Sequence, residues 1–72
     1  MEKNEIKKAL YKQKPMAQFT MIRKEVAYYQ TTIVNDDESS TRINFEIPVG
    51  DMGDADYYQE MDAKLLNRYI VI

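Results

Sequence analysis

The segment TRINFEIP shows the cleanest alternation of hydrophobic and polar residues in the chain. Ile43, Phe45 and Ile47 are apolar, and polar residues separate them. Because successive side chains of a strand point to opposite faces, this pattern predicts a strand with one buried and one exposed face. Pro48 is expected to end the strand, since it has no amide hydrogen to donate to a neighbouring strand.

The preceding segment, MAQFTMIRKEVAYYQTTIV, is rich in aromatic and β-branched residues. This composition predicts two strands that meet near Arg23 to Glu25. The expected inward positions are Ala17, Phe19 and Met21 on the first strand and Ala27, Tyr29, Thr31 and Ile33 on the second. The turn lacks the Asn-Gly or other glycine-containing pair that favours a tight hairpin, so one long bent strand is the alternative.

A helix is predicted before these strands, over NEIKKALYKQKP. Ile6 and Leu10 recur at helical spacing and form a narrow apolar stripe. Asn4 is expected to cap the first turn, and Pro15 to end the helix. An isolated helix of this length is marginal in water, so its apolar stripe must dock on another element.

The final segment, DADYYQEMDAKLLNRYIVI, also has apolar residues at every third or fourth position. These residues are Tyr58, Met61, Leu65, Tyr69 and Ile72. We expect a helix, because the central AKLL run consists of good helix formers. The alternative is a fourth strand over LLNRYIVI, whose β-branched and aromatic residues are typical of strands.

These elements predict a small α+β fold, a single domain over residues 1–72. The expected order is helix, three antiparallel strands and helix, with both helices on one face of the sheet. The polar run NDDESS is expected to be a surface loop between the second and third strands. The predicted core comprises Ile6, Leu10, Phe19, Met21, Tyr29, Ile33, Ile43, Phe45, Ile47, Met61, Leu65 and Tyr69.

Composition argues against several classes of function. The chain has no cysteine and no histidine, so it lacks disulfides, thiolate metal ligands and the commonest catalytic base. Only two glycines are present, and no phosphate-binding loop is found. The opening residues are charged, and the apolar run YIVI is too short to span a membrane. We therefore expect a cytoplasmic protein that is not an enzyme, with no cofactor and no small-molecule substrate.

The acidic stretch GDMGDADYYQEMD is a candidate metal loop. A calcium loop of the EF-hand type needs oxygen ligands at positions 1, 3 and 5 and a glutamate at position 12. Counting from Asp54 places Asp56 at position 3 but Tyr58 at position 5. We therefore predict no metal site and interpret the stretch as a helix start capped by Asp51 or Asp54. An acidic protein-binding surface is the alternative.

Charge is distributed unevenly along the chain. Residues 1–24 contain seven basic and two acidic residues, whereas the remainder contains three basic and ten acidic ones. Such polarity suggests attraction between the two halves, within one molecule or between copies. Five lysines of the first helix could also track a phosphate backbone, which makes nucleic-acid binding a hypothesis. They are Lys3, Lys7, Lys8, Lys12 and Lys14.

Paired tyrosines indicate a protein interface. Tyr28 and Tyr29 are adjacent on one predicted strand, so their side chains must point to opposite faces. Tyr57 and Tyr58 diverge similarly on the predicted helix. Exposed tyrosine is enriched at contact surfaces, and a homodimer would enlarge a small core. The candidate interface residues are Tyr28, Tyr57, Tyr58, Asp54 and Asp56.

The runs IKKALYKQKPMA, VAYY and FEIPVGDMGDADYYQEMDAKLLNRYI resemble short proteins of Bacteroides-type bacteria and their mobile elements. The resemblance spans most of the chain and implies no activity and no site residue. It implies a bacterial cytoplasmic or phage accessory protein, and it leaves open an inhibitor that binds a host factor through its acidic half. Our prediction is a protein-interaction module that self-associates, and nucleic-acid binding is the alternative.

Overall fold

The sheet is the central element of the structure, a computed structural model that describes residues 2–52 and 59–71. Helix α1, Lys3–Gln13, precedes strands β1, Met16–Arg23, β2, Val26–Val34, and β3, Ser40–Pro48. A 3₁₀ helix, Val49–Met52, comes next, followed by β4, Met61–Asp62, a second 3₁₀ helix, Ala63–Tyr69, and β5, Ile70–Val71. The strands form one antiparallel sheet in the order β4-β1-β2-β3-β5.

The α+β class, the leading helix and the three central strands are confirmed, but the sheet has five strands rather than three. The two additional strands contain two residues each, too few for an alternating pattern to be detected. The C-terminal helix is present as a 3₁₀ helix that stops at Tyr69, and Ile70–Val71 then joins the sheet beside β3. Both predictions for this segment are therefore correct in part.

The predicted hairpin forms between β1 and β2. Arg23 pairs with Val26, so Lys24 and Glu25 alone make the turn. Their φ angles are 51° and 63°, the positive values that a type I′ turn requires at both central positions. This turn matches the right-handed twist of the strands, although neither residue is of the type that adopts positive φ easily.

The ends of α1 differ from the sequence prediction at one terminus. The helix begins at Lys3 after Glu2, whose side chain makes no capping hydrogen bond. The predicted cap, Asn4, is wrong, because this residue lies inside the first turn. At the other end Lys14 adopts a left-handed conformation with φ of 50°, and its amide donates to Leu10 O. Pro15 then prevents continuation, as predicted.

The core lies between one face of the sheet and the layer formed by α1 and the second 3₁₀ helix. Its buried apolar residues are Ile6, Leu10, Ala17, Ala27, Tyr29, Ile33, Ile43, Phe45, Ile47, Ala63, Leu66 and Ile70. Phe19, Met61 and Tyr69 are partly buried against this cluster. Most of the predicted core is thus confirmed, and the residues added to it are Ala17, Ala27, Ala63, Leu66 and Ile70.

Met21 was predicted to be in the core but is 44% exposed. The pairing of β1 with β2 shifts between Phe19 and Met21, which marks a β-bulge. The extra residue moves Met21 to the opposite face, and Ile22 packs against the core in its place. No glycine or proline marks this bulge in the sequence.

Leu65 was also predicted to be buried and is 64% exposed. The prediction assumed the 3.6-residue period of an α-helix, whereas a 3₁₀ helix has three residues per turn. Ala63 and Leu66, three positions apart, therefore share the buried side. The side of the helix that carries Ala63, Leu66 and Tyr69 faces the core, and Leu65 lies outside it.

Candidate interaction surface

One face of the sheet is not covered by any element within the described parts of the chain. Ile6 and Leu10 of α1 and Leu66 of the second 3₁₀ helix all pack on the other face. The side chains of the uncovered face, here named the open face, are those that alternate with the core residues. They are Met16, Gln18, Met21, Arg23, Val26, Tyr28, Gln30, Thr32, Val34, Ser40, Arg42, Asn44, Glu46, Pro48 and Val71.

Strand register arranges the open face in rows that run across the strands. One row joins Met21, Tyr28 and Glu46, and a parallel row contains Thr32 and Arg42. Between them lies the amide row, defined here as Gln18, Gln30 and Asn44, with Val71 at its end. Residues in one row are about 5 Å apart and touch side by side.

Tyr28 lies near the centre of this surface, on the middle strand of the sheet. It is partly buried between Met21 and Glu46 of the same row. Its neighbour Tyr29 points to the core, where its ring packs edge to face against Phe19 with centroids 5.6 Å apart. The two tyrosines therefore point to opposite faces, as their adjacency predicts.

The charged residues of the open face lie on two strands: Arg42 and Glu46 belong to β3, and Arg23 lies at the end of β1, where it pairs with Val26. Arg42 and Glu46 are exposed, and Asn44 lies midway between them on the same face. Sequence reasoning did not select this pair as a site. The signal was present, because the alternation that buries Ile43 and Phe45 also exposes the residues between them, but the pattern does not show which face the helices cover.

The other predicted interface residues, Tyr57, Tyr58, Asp54 and Asp56, lie outside the described residues. Of the acidic stretch, Asp51 belongs to the first 3₁₀ helix, and its Oδ2 accepts a hydrogen bond from Tyr69 Oη at 3.3 Å. A different residue caps the second 3₁₀ helix. Asp62 Oδ1 accepts from the Lys64 amide at 3.2 Å. Within 2–52 and 59–71, no three acidic side chains are grouped as metal ligands.

The lysines of α1 do not share one surface. Lys8 and Lys12 line a groove of about 530 Å³ between α1 and the β2–β3 loop, and Asp36 and Asp37 line the same groove. Lys3, Lys7 and Lys14 do not belong to this groove. Carboxylates opposite two of the five lysines reduce the positive potential that a phosphate backbone would meet.

Hydrogen bonds shape the acidic β2–β3 loop. The Ser39 hydroxyl and the Ser39 amide donate to Asp37 Oδ1 at 2.6 and 3.1 Å, and these bonds hold the pKa of Asp37 below its usual value. Asn35 Nδ2 donates to Ser39 Oγ and to Thr41 Oγ1 at 3.0 and 2.8 Å. The loop is therefore an internally bonded turn in which the Asp37 carboxylate is stabilised in its ionised form.

Comparison with protein-family models, curated proteins and solved structures finds no match to this chain. Among the described residues, no helix has both the length and the hydrophobicity needed to cross a membrane. A function for the chain therefore has to be proposed from the geometry of its surfaces, and the open face is the one that contains the predicted interface residue Tyr28.

Proposed function

We propose that this protein is a small non-enzymatic protein-interaction module that self-associates through its open face. The observation that carries the proposal is a five-stranded sheet whose described helices, all within 2–52 and 59–71, pack on one side, with tyrosine and methionine side chains among those on the other side. Tyr28 and Met21 adjoin each other there, and both residue types are enriched in the cores of interfaces. Burial of this face would also enlarge the core of a 72-residue chain.

The size of the open face indicates the strength of the association. Three strands of about nine residues, spaced by about 4.8 Å, offer roughly 500 Å² per copy. Two such faces would bury about 1,000 Å² together, near the lower limit for a specific interface. The expected dissociation constant is therefore in the micromolar range.

Sedimentation equilibrium over about 5 to 500 µM tests the proposal across this range. The average mass is expected to rise from 8.5 kDa towards that of a dimer. Tyr28→Glu should remain monomeric, because it would place a carboxylate in the centre of the interface. Tyr11→Glu is the matched control, since Tyr11 is 57% exposed on α1, on the other side of the molecule. A chain that stays monomeric throughout would contradict self-association.

Nucleic-acid binding through α1 is the second candidate function. Lys3, Lys7 and Lys14 support it, because the acidic groove does not include them. Titration with single- and double-stranded probes at about 50 mM salt, where phosphate contacts are strong, is the test. Binding that weakens steeply as salt is raised would support this candidate, and the absence of binding would reject it.

The resemblance to short bacterial proteins supports a proposal about the origin and the cellular compartment of the protein. It favours a cytoplasmic accessory protein of bacterial or phage origin, and such a module would serve by binding copies of itself or a protein partner. Affinity capture from a Bacteroides-type host with the wild-type chain and with Tyr28→Glu would identify a partner that uses the open face. A partner captured equally by both variants would show that a different surface binds it.

A further inference from the structure

We infer that two copies of the chain pack open face to open face about a two-fold axis that lies along the amide row, perpendicular to the strands. In this arrangement Arg42 of each copy meets Glu46 of the other. The inference rests on the proposed self-association and adds its geometry and its charge-based specificity. It follows from the order of residues on the three central strands.

The charges on β3 are opposite and equally spaced about one residue. Arg42 and Glu46 flank Asn44 at two residues on either side, which places their Cα atoms about 13 Å apart along the strand. No ion pair within the described residues involves either side chain. Both charges are therefore available to a partner that presents the reverse order of charge.

A second copy presents that reverse order only about one kind of axis. Rotation about the amide row turns the strand direction around, so that Arg42 lies over Glu46 and the same contact is made twice by symmetry. Rotation about an axis parallel to the strands would keep each residue in its own row. With the axis over β3, Arg42 would face Arg42 and Glu46 would face Glu46, and like charges would repel. With the axis over β2, the two charges would face Met16 and Met21 and would have no partner, so the charge pattern selects the axis along the amide row.

The other strands agree with this axis. On β2, Tyr28 and Thr32 are each two residues from Gln30, so each would lie over the other in the second copy. Val26 and Val34 exchange in the same way, which brings two apolar side chains together. Contacts over β2 are thus apolar, or aromatic against a threonine methyl, with no charge left unpaired.

On β1 the residues that face each other across the axis are also apolar, although this strand contains a bulge. Met21 shares a row with Tyr28, and Met16, two residues before Gln18, shares the row of Thr32. Met21 would therefore lie over Met16 of the second copy, and both are about 45% exposed in the single chain (44% and 45%). The bulge that moves Met21 out of the predicted core also places it on the open face, where it would make this apolar contact.

Each residue of the amide row would face the same residue of the second chain across the axis. A primary amide both donates and accepts hydrogen bonds, so Gln30 against Gln30 and Asn44 against Asn44 are self-complementary pairs. Aligned sheets pack with their strands about 30° apart, and the long side chains of Arg42 and Glu46 can span the offset that this angle creates. The amide row and the rows on either side of it are therefore compatible with one symmetric interface on all three strands, and Arg23 lies one row beyond Met21, at the end of β1.

Charge-reversed variants test the geometry. Arg42→Glu should weaken association at least about tenfold, because it would set two pairs of carboxylates against each other. Glu46→Arg should do the same with two pairs of guanidinium groups. An equimolar mixture of the two variants should associate, since every facing pair in the mixed dimer is of opposite charge. The double variant Arg42→Glu/Glu46→Arg should associate by itself.

The measurement is sedimentation velocity at about 50 mM salt, where screening is weak, with circular dichroism to show that each variant is folded. Lys12→Glu, the same charge change on α1, is the control and should associate as the wild type does. The inferred axis would be overturned if each single variant dimerised as strongly as the wild type, or if the two single variants stayed monomeric when mixed. Either result would leave self-association itself standing. A monomeric wild type would reject the proposed function itself.

Discussion

Gln13, the last residue of α1, makes two hydrogen bonds with the backbone of Val34 at the end of β2. Its Nε2 donates to Val34 O at 2.8 Å, and its Oε1 accepts from Val34 N at 2.9 Å. β2 extends beyond the start of β1, so this peptide has no strand partner on that side among the described residues. The Gln13 side chain takes the place of the missing strand and joins the helix to the sheet.

Substitution of Gln13 should therefore destabilise the fold more than its exposure suggests. Gln13→Met keeps the length and helix propensity but removes both hydrogen bonds, and a loss of about 1 to 2 kcal/mol in the free energy of unfolding is expected. Urea denaturation is the measurement. Lys12→Met is the matched control and should change the free energy by less than about 0.5 kcal/mol. Equal effects of the two variants would show that the contact with Val34 contributes nothing.

Replacing the β1–β2 turn with residues suited to positive φ should stabilise the protein. Lys24 and Glu25 both have left-handed φ angles, which cost residues with a Cβ atom about 1 kcal/mol each. Lys24→Asn/Glu25→Gly supplies the preferred type I′ pair and is expected to raise the free energy of unfolding by about 1 kcal/mol. The thermal midpoint should rise by several degrees.

The control for the turn is Lys24→Ala/Glu25→Ala, which removes the same charges without favouring positive φ. It should give no gain in stability. The bond from the Val49 amide to Glu25 O, at 2.9 Å, involves only backbone atoms and is kept in both variants. A gain shared by the alanine variant would assign the effect to charge rather than to backbone conformation.

Phe45 and Leu65 should differ sharply in their contribution to stability. Phe45 has no exposed surface, whereas Leu65 is 64% exposed. Phe45→Ala is expected to cost about 3 to 5 kcal/mol, a large share of the stability of a small domain. Leu65→Ala should cost less than about 0.5 kcal/mol. A large loss from Leu65→Ala would mean that the C-terminal segment has α-helical rather than 3₁₀ spacing.

Met21 and Ile22 should show the effect of the bulge. Ile22 packs against the core, and Met21 lies on the open face. Ile22→Ala is expected to lower the free energy of unfolding by about 1 to 3 kcal/mol, since its side chain is partly buried. Met21→Ala should leave the stability of the monomer nearly unchanged and weaken self-association. If Met21→Ala lowered the free energy of unfolding more than Ile22→Ala did, each side chain would lie on the face opposite to the one described.

Sequence patterns identified the elements that follow a regular period and missed those that break it. Strand β3 alternates without interruption, so its buried residues, Ile43, Phe45 and Ile47, were identified correctly. The bulge before Met21 carries no local signal, because no glycine or proline marks it. The spacing of Ala63 and Leu66 fits both a 3₁₀ and an α-helix, so it could not show that the tighter helix forms.

The candidate surface was predicted only in part for a similar reason. Tyr28 was selected because a tyrosine next to Tyr29 must point the other way. Arg42 and Glu46 were not selected, because the importance of the open face depends on where the helices pack. That placement results from contacts distant in sequence, such as Gln13 with Val34, which no local pattern shows.

Amide chemical shifts recorded as a function of protein concentration test the central claim most directly. Spectra of the ¹⁵N-labelled chain at about 20 and about 500 µM bracket the expected micromolar dissociation constant. We predict concentration-dependent shifts for open-face residues such as Tyr28, Gln30 and Asn44, and unchanged shifts for the exposed side of α1, including Lys12. Spectra that do not change with concentration, or changes confined to α1, would contradict self-association through the open face.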